Sequence, residues 1–142
     1  MISRFRLVTV SMLLAAQLLP PLAVAHHSQA LVDLTKEVVL VGTVKDFQWS
    51  NPHIWIQLLV PDKSGNSVEW GVEGASPRQM ARYNIKRTTL KPGDKIELTI
   101  SPLRSGGIGG GFVRVKLASG EVLGLAVGEK RFFTNPGDPE AK

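Results

Sequence analysis

Only three histidines occur in this 142-residue chain, and two of them, His26 and His27, stand side by side in "LAVAHHSQ". They follow the small-x-small triplet Ala23-Val24-Ala25, and the third, His53, follows Asn51-Pro52. Imidazole and amine nitrogens bind first-row metal ions, and intrinsic affinity places copper ahead of zinc. If the chain is cut after Ala25, His26 presents an α-amino group beside its own imidazole Nδ1, and the pair can close a chelate ring on one ion. A second imidazole would complete a T-shaped set of three nitrogens suited to copper(II). His27 is next in sequence and would chelate awkwardly. His53 requires the N-terminal arm to fold back, which the 11 residues from His27 to Glu37 are long enough to allow. A cut after Ala23 would leave histidine third in the chain, another arrangement that chelates copper(II). The plain alternatives stay open: a histidine pair at a terminus can simply be solvated, and His53 can cap a turn or hold its loop against a carboxylate.

Where the chain is cut therefore decides the chemistry. Arg4 and Arg6 form a basic start, Leu7 to Leu19 is an apolar run of 13 residues, and Pro20-Pro21 break it. A bilayer span needs about 20 apolar residues, so the pattern predicts an export signal over residues 1–25, cleaved after Ala25. Phe5 separates the arginines, so the signal is not of the twin-arginine kind, and no cysteine follows to carry a lipid. The expected location is the periplasm, by the general secretory route, with no stable membrane anchor after cleavage. The mature chain would hold 117 residues with 15 basic and 12 acidic side chains, a net charge of +3. That balance and the export signal argue against a nucleic-acid partner. With no cysteine, the fold must stand on its apolar core, which a domain of this size can provide.

The elements that would position the histidines are mostly strands. Residues 38–48 ("VVLVGTVKDFQ") are rich in β-branched side chains, with Gly42 suggesting a bend or bulge. Residues 53–60 alternate with Ile54, Ile56, Leu58 and Val60 on one face and His53, Trp55 and Gln57 on the other. Residues 67–73 do the same, with Val68, Trp70 and Val72 against Glu69, Gly71 and Glu73. Ser76, Pro77 and Gln79 read as an N-cap, first helical residue and capping box, with Met80 and Tyr83 as a small apolar stripe and Asn84 as the end. "LKPGD" has the order of a type II turn. Ile96, Leu98 and Ile100 mark a fourth strand, and residues 112–117 and 122–127 two more. The expected fold is mostly β: a small five- to six-stranded OB-like barrel with one short helix between strands three and four. An open sandwich is the alternative. The expected organisation is a signal peptide (1–25), an N-terminal arm (26–37), the barrel (38–128) and a flexible C-terminal tail (129–142).

Parity constrains how the second and third strands pair, because a slip by one residue would turn an apolar face to water. One register that keeps both faces sets His53 opposite Glu73, Trp55 opposite Gly71 and Gln57 opposite Glu69. Candidate metal ligands are then His26 and His53, with His27 and Glu73 in reserve and Glu73 as the group that orients His53. The alternative surface is metal-free. Trp55, with Gln57, Glu69 and the neighbouring Trp49 and Asn51, could take a small ligand or a periplasmic protein partner.

Other signals carry less. "GGIGGG" lacks the lysine and hydroxyl of a phosphate loop and reads as a flexible loop. Arg78, Arg82, Lys86 and Arg87 give the helix a basic flank, usually a solvated face. Ser50, His53 and Glu73 can be assembled into a triad on paper, but no spacing demands it, and no Gly-x-Ser-x-Gly or cysteine nucleophile exists. The expectation is a binding protein and not an enzyme.

"AHHS", "GTVKDFQWSNPHIWIQLLV", "VEWGVEGASPRQMARYNI" and "LKPGDKIELTISPLRSG" together resemble a family of small exported bacterial proteins, domain of unknown function six-one-five-two. The resemblance covers nearly all of the mature chain and rests on "W-x-N-P-H" followed by a "W-x-x-E" strand. It implies a periplasmic β-barrel and assigns no activity. It carries over to His26, His27, Trp49, Asn51, Pro52, His53, Trp70, Glu73, Gly93 and Asp94. The chain departs from the pattern at Tyr83-Asn84, where a glycine-containing pair is expected at the helix end.

Overall fold

Alternating apolar side chains need a sheet with one covered face, and a sheet of this size covers itself by closing. In the computed structural model, which describes residues 31–126, the strands are β1 (Val38–Gln48), β2 (Trp55–Pro61), β3 (Ser67–Glu73), β4 (Lys95–Pro102), β5 (Gly110–Lys116) and β6 (Val122–Gly124). One short helix, α1 (Pro77–Ala81), lies between β3 and β4 among the described residues. The sheet order is β3-β2-β1-β4-β5-β6, antiparallel throughout. β3 and β5 then pair in parallel through Val72 with Gly110 and Glu73 with Gly111. That pairing closes β1 to β5 into a five-stranded OB-like barrel, with β6 as an extra strand on β5. Closure removes the exposed edges that an open sheet of this length would carry.

Inside the barrel lie Leu40, Val44, Ile56, Leu58, Val72, Ile96, Leu98 and Ile100. Fully burying a side chain such as Leu58 stabilises by roughly 1.5–3 kcal/mol, so these residues hold the fold without disulfides. The helix starts as its sequence demands: Ser76 Oγ accepts from the Gln79 N–H, and Gln79 Oε1 accepts from the Ser76 N–H. Met80 is buried, and Ile85 and Leu90, beyond the helix, join the same core. Asn84 takes φ of +61°, the left-handed conformation a glycine would supply, and asparagine tolerates it better than most residues. Asn84 thus meets the backbone need that a glycine at the helix end would meet. In "LKPGD", the Asp94 N–H donates to the Lys91 carbonyl at 3.1 Å and Gly93 has φ of +95°, the geometry of the expected type II turn.

Several local expectations are corrected. The bulge in β1 is not at Gly42 but at Lys45, where the register shifts between Val44 and Asp46. It flips the parity, so that Phe47 turns inward to pack on the core. Gly42 is instead a point of close approach, since a Cβ there would lie 2.4 Å from the Leu59 carbonyl oxygen. β2 begins at Trp55 and not at His53, β5 begins at Gly110, and β6 stops at Gly124.

The β2–β3 register is also displaced by two residues, which keeps the parity. Trp55 lies opposite Glu73, Gln57 opposite Gly71 and Leu59 opposite Glu69. The hairpin loop explains the displacement. The Asp62 carboxylate accepts from the N–H groups of Ser64 (2.8 Å) and Asn66 (2.9 Å), and the Asp62 N–H donates to the Asn66 carbonyl (2.8 Å). Those bonds centre the turn on Ser64, one residue beyond Lys63, where the expected register would centre it.

The arm docks on the barrel. Val32 forms a β-bridge with Leu103, the Asp33 N–H donates to the Pro102 carbonyl at 2.8 Å, and the Arg104 N–H donates to the Leu31 carbonyl at 2.7 Å. The Asp33 side chain accepts from the Thr35 hydroxyl (2.6 Å) and N–H (3.1 Å) and pairs with Lys36 (2.9 Å). The bonds from Thr35, with Lys36 behind them, hold this carboxyl well below the ordinary carboxylate range. A depressed carboxyl stabilises the folded arm fully above its unfolded pKa, near 4, and the contribution is lost as pH falls through the lower folded value. Hydrogen exchange at the Asp33 and Arg104 amides is therefore expected to hold steady, relative to the intrinsic rate, from pH 7 to about 5. Protection should fall below about pH 4, and Asp33→Asn should lower it already at pH 7.

Candidate functional site

One end of the barrel gathers the start of β2, the end of β3, the β4–β5 loop and the docked arm. His53 enters it just after a cis Asn51–Pro52 bond, ahead of β2 on the face that also carries Trp55 and Gln57. Glu73 ends β3 on the same outer face. Although the strand partner of Glu73 is Trp55, the carboxylate reaches diagonally, and His53 Nδ1 contacts Glu73 Oε1. The expected His53–Glu73 contact is thus present through a diagonal and not through direct pairing. Both side chains are about four-fifths buried, at 20% and 19% exposure. An ionised carboxylate accepts only, so the contact places a proton on Nδ1 and leaves the lone pair of a neutral imidazole on Nε2.

Trp55 lies across Gly71, again on the diagonal: a Cβ at Gly71 would be 3.0 Å from Trp55 Cζ2. The missing side chain lets the indole lie against the sheet and wall a cleft of about 230 Å³. Its other walls are Leu31 of the arm and Leu103 and Ile108 of the β4–β5 segment, and Glu73 is its acidic group. Gly109, Gly110 and Gly111 form a buried floor. The glycine run was expected to be a flexible loop; Gly109 to Gly111 instead make close backbone packing. A Cβ on Gly110 would meet the Ser101 carbonyl oxygen at 2.3 Å, and one on Gly109 would meet the Gly71 carbonyl oxygen at 3.0 Å.

The remaining expected site residues lie elsewhere. Trp49 packs on the core, edge-to-face with Phe47 at 5.8 Å, and its carbonyl accepts from Arg87 Nη2 at 3.1 Å. Arg87 thereby ties the basic flank to the first loop. Glu69 pairs with Lys45 at 2.5 Å and not with Gln57; a half-exposed pair of this kind contributes about 0–1 kcal/mol. Gln57 faces Gly71 across the strands, and Asn51 is exposed and does not line the cleft. Of the proposed ligand face, Trp55 alone walls the cleft, beside Glu73. Leu31, Leu103 and Ile108 were missed, because apolar residues in an arm and a glycine-rich loop have no period to betray them.

Among the described residues, no group of three or more His, Cys, Asp or Glu side chains comes together in a way that could hold a metal ion. His53 and Glu73 come together as a pair, and His26 and His27 lie outside the described residues. No described helix is long and apolar enough to cross a membrane. Neither a curated protein nor a solved structure matches the chain. The model of a family of unknown function, DUF6152, matches residues 15–112, and the chain belongs to that family.

Proposed function

We propose that this protein is an exported, periplasmic binding protein that takes one copper ion through the amino terminus and imidazole of His26 and through Nε2 of His53. Glu73 acts behind His53: it fixes the tautomer, orients the ring and raises its basicity, as carboxylates commonly do behind metal-binding histidines. The observation that carries this reading is the meeting of the arm and the dyad. Leu31, five residues after His26, walls the same cleft as Glu73, and Glu73 contacts His53. Five residues span at most about 17 Å, so a terminus at His26 is tethered within reach of the dyad.

Copper(II) titration of the chain beginning at His26, against the same chain with its α-amino group acetylated, tests the proposal. Acetylation removes the α-amino donor and with it the chelate ring, so affinity is expected to fall at least tenfold. Equal affinity in the two chains would contradict the amino-terminal ligand. The apolar cleft favours a second, metal-free reading in which the Trp55 face takes a small ligand or a protein partner. On that reading acetylation changes nothing and Trp55→Ala abolishes binding.

A further inference from the structure

The cleft opens an apolar patch to water: Leu31 is 58% exposed, Ile108 57% and Trp55 36%. The course of β6 bears on what could cover it. β6 runs antiparallel to β5, with Val122 opposite Lys116 and Gly124 opposite Arg114, and the Leu125 N–H donates to the Val113 carbonyl at 3.0 Å. Each step along this segment moves one residue back along β5, toward Phe112, Gly111 and Gly110. Gly111 and Gly110 are where β5 meets Glu73 and Val72 of β3, and both belong to the floor of the cleft. The described chain thus ends at Ala126 heading toward the cleft.

The residues beyond Ala126 have the matching chemistry. Residues 127–133 read Val-Gly-Glu-Lys-Arg-Phe-Phe, two cations followed by two aromatics. Phe132 is six residues beyond Ala126, a reach of about 20 Å when extended. The cleft, at about 230 Å³, has room for about one aromatic side chain, and its walls are the apolar surface such a ring would cover. Its acidic group is Glu73, opposite in charge to Lys130 and Arg131. A short tether holds its end at an effective concentration in the millimolar range, so even a contact of about millimolar intrinsic affinity would be substantially formed.

We infer that the cleft is filled by this chain's own C-terminal segment, residues 127–133, with one ring of the Phe132-Phe133 pair set against Trp55, Leu103 and Ile108. The inference is independent of copper, since it concerns the apolar walls and the course of β6.

Nuclear Overhauser contacts in the full mature chain, measured at two concentrations tenfold apart, test it. The expected result is contacts from the Phe132 or Phe133 ring to the Ile108 and Leu103 methyls and the Trp55 indole, unchanged on dilution. In the F132A/F133A double variant, the Trp55, Leu103 and Ile108 resonances should shift, while exposed Val39 and Val41 of β1 should not. The contacts in the unmodified chain decide the matter even if that variant folds poorly. Their absence would overturn the inference. So would contacts that vanish on dilution, which would make the occupant a second copy. A co-purified small molecule in the cleft, with the phenylalanine rings making no contact there, would overturn it as well.

Discussion

Replacing Glu73 by glutamine is expected to weaken copper(II) binding to the chain beginning at His26 by about 10- to 100-fold, and His53→Ala should weaken it further. Glutamine keeps the shape and can still accept a hydrogen bond, but it carries no charge to hold the proton on Nδ1 and make Nε2 a stronger donor. His53→Ala removes a nitrogen outright, so the copper(II) electron paramagnetic resonance spectrum should lose one nitrogen coupling, whereas Glu73→Gln should keep it. Competition against a chelator gives the affinities. Trp55→Ala, which removes no proposed ligand, should stay within about twofold. Because His53→Ala also leaves a largely buried carboxylate without its imidazole, a cost of about 1–3 kcal/mol in stability accompanies it. Its thermal midpoint must therefore be read beside its affinity. If Glu73→Gln and the unmodified chain bind copper equally, the carboxylate is not orienting a ligand.

Gly110→Ala should be the most damaging of the single-methyl additions around the cleft. Its Cβ would lie 2.3 Å from the Ser101 carbonyl oxygen and 2.9 Å from Ile100 Cδ1. The isoleucine tip can turn aside, but Ser101 is fixed in the β4–β5 ladder opposite Gly111. Relief must come from the backbone, at the residue that pairs β5 with Val72 of β3 and so closes the barrel. Overpacking of this kind costs about 1–3 kcal/mol, or roughly 4–8 °C in thermal midpoint per kcal/mol for a domain near 100 residues. Amide exchange should accelerate first at Glu73 and Gly111. Gly120→Ala offers the comparison: φ of +88° brings strain, yet nothing lies within 4 Å of the added atom. It should lower stability without loosening the closure. A Gly110→Ala protein with an unchanged denaturation midpoint would refute the close packing of this floor.

The parts of this fold that could be read from the sequence are those set by local rules. β1 and β3 occupy their expected residues because β-branched alternation and the flanking turn residues are sufficient there. The capping box of Ser76 and Gln79 is local too. Parity put His53, Trp55, Gly71 and Glu73 on the same outer face, and diagonals across the displaced register bring His53 to Glu73 and Trp55 to Gly71. Parity could not tell one even register from the next, because that choice depends on the hydrogen bonds of the Asp62 loop. Tertiary contact hid the rest. Gly109 to Gly111 resemble a flexible loop until β3 and β4 are seen pressing on them. Leu31 and Ile108 have no neighbours in sequence that would mark them as walls of a cleft.

Native mass spectrometry of the protein exported from its full-length precursor, with and without one equivalent of copper(II), tests the proposed copper site most directly. The expected result is a mature mass beginning at His26 that retains one copper ion, and loss of that ion in His53→Ala. A chain cut at the same place that retains no copper, or retains it equally well without His53, would contradict it.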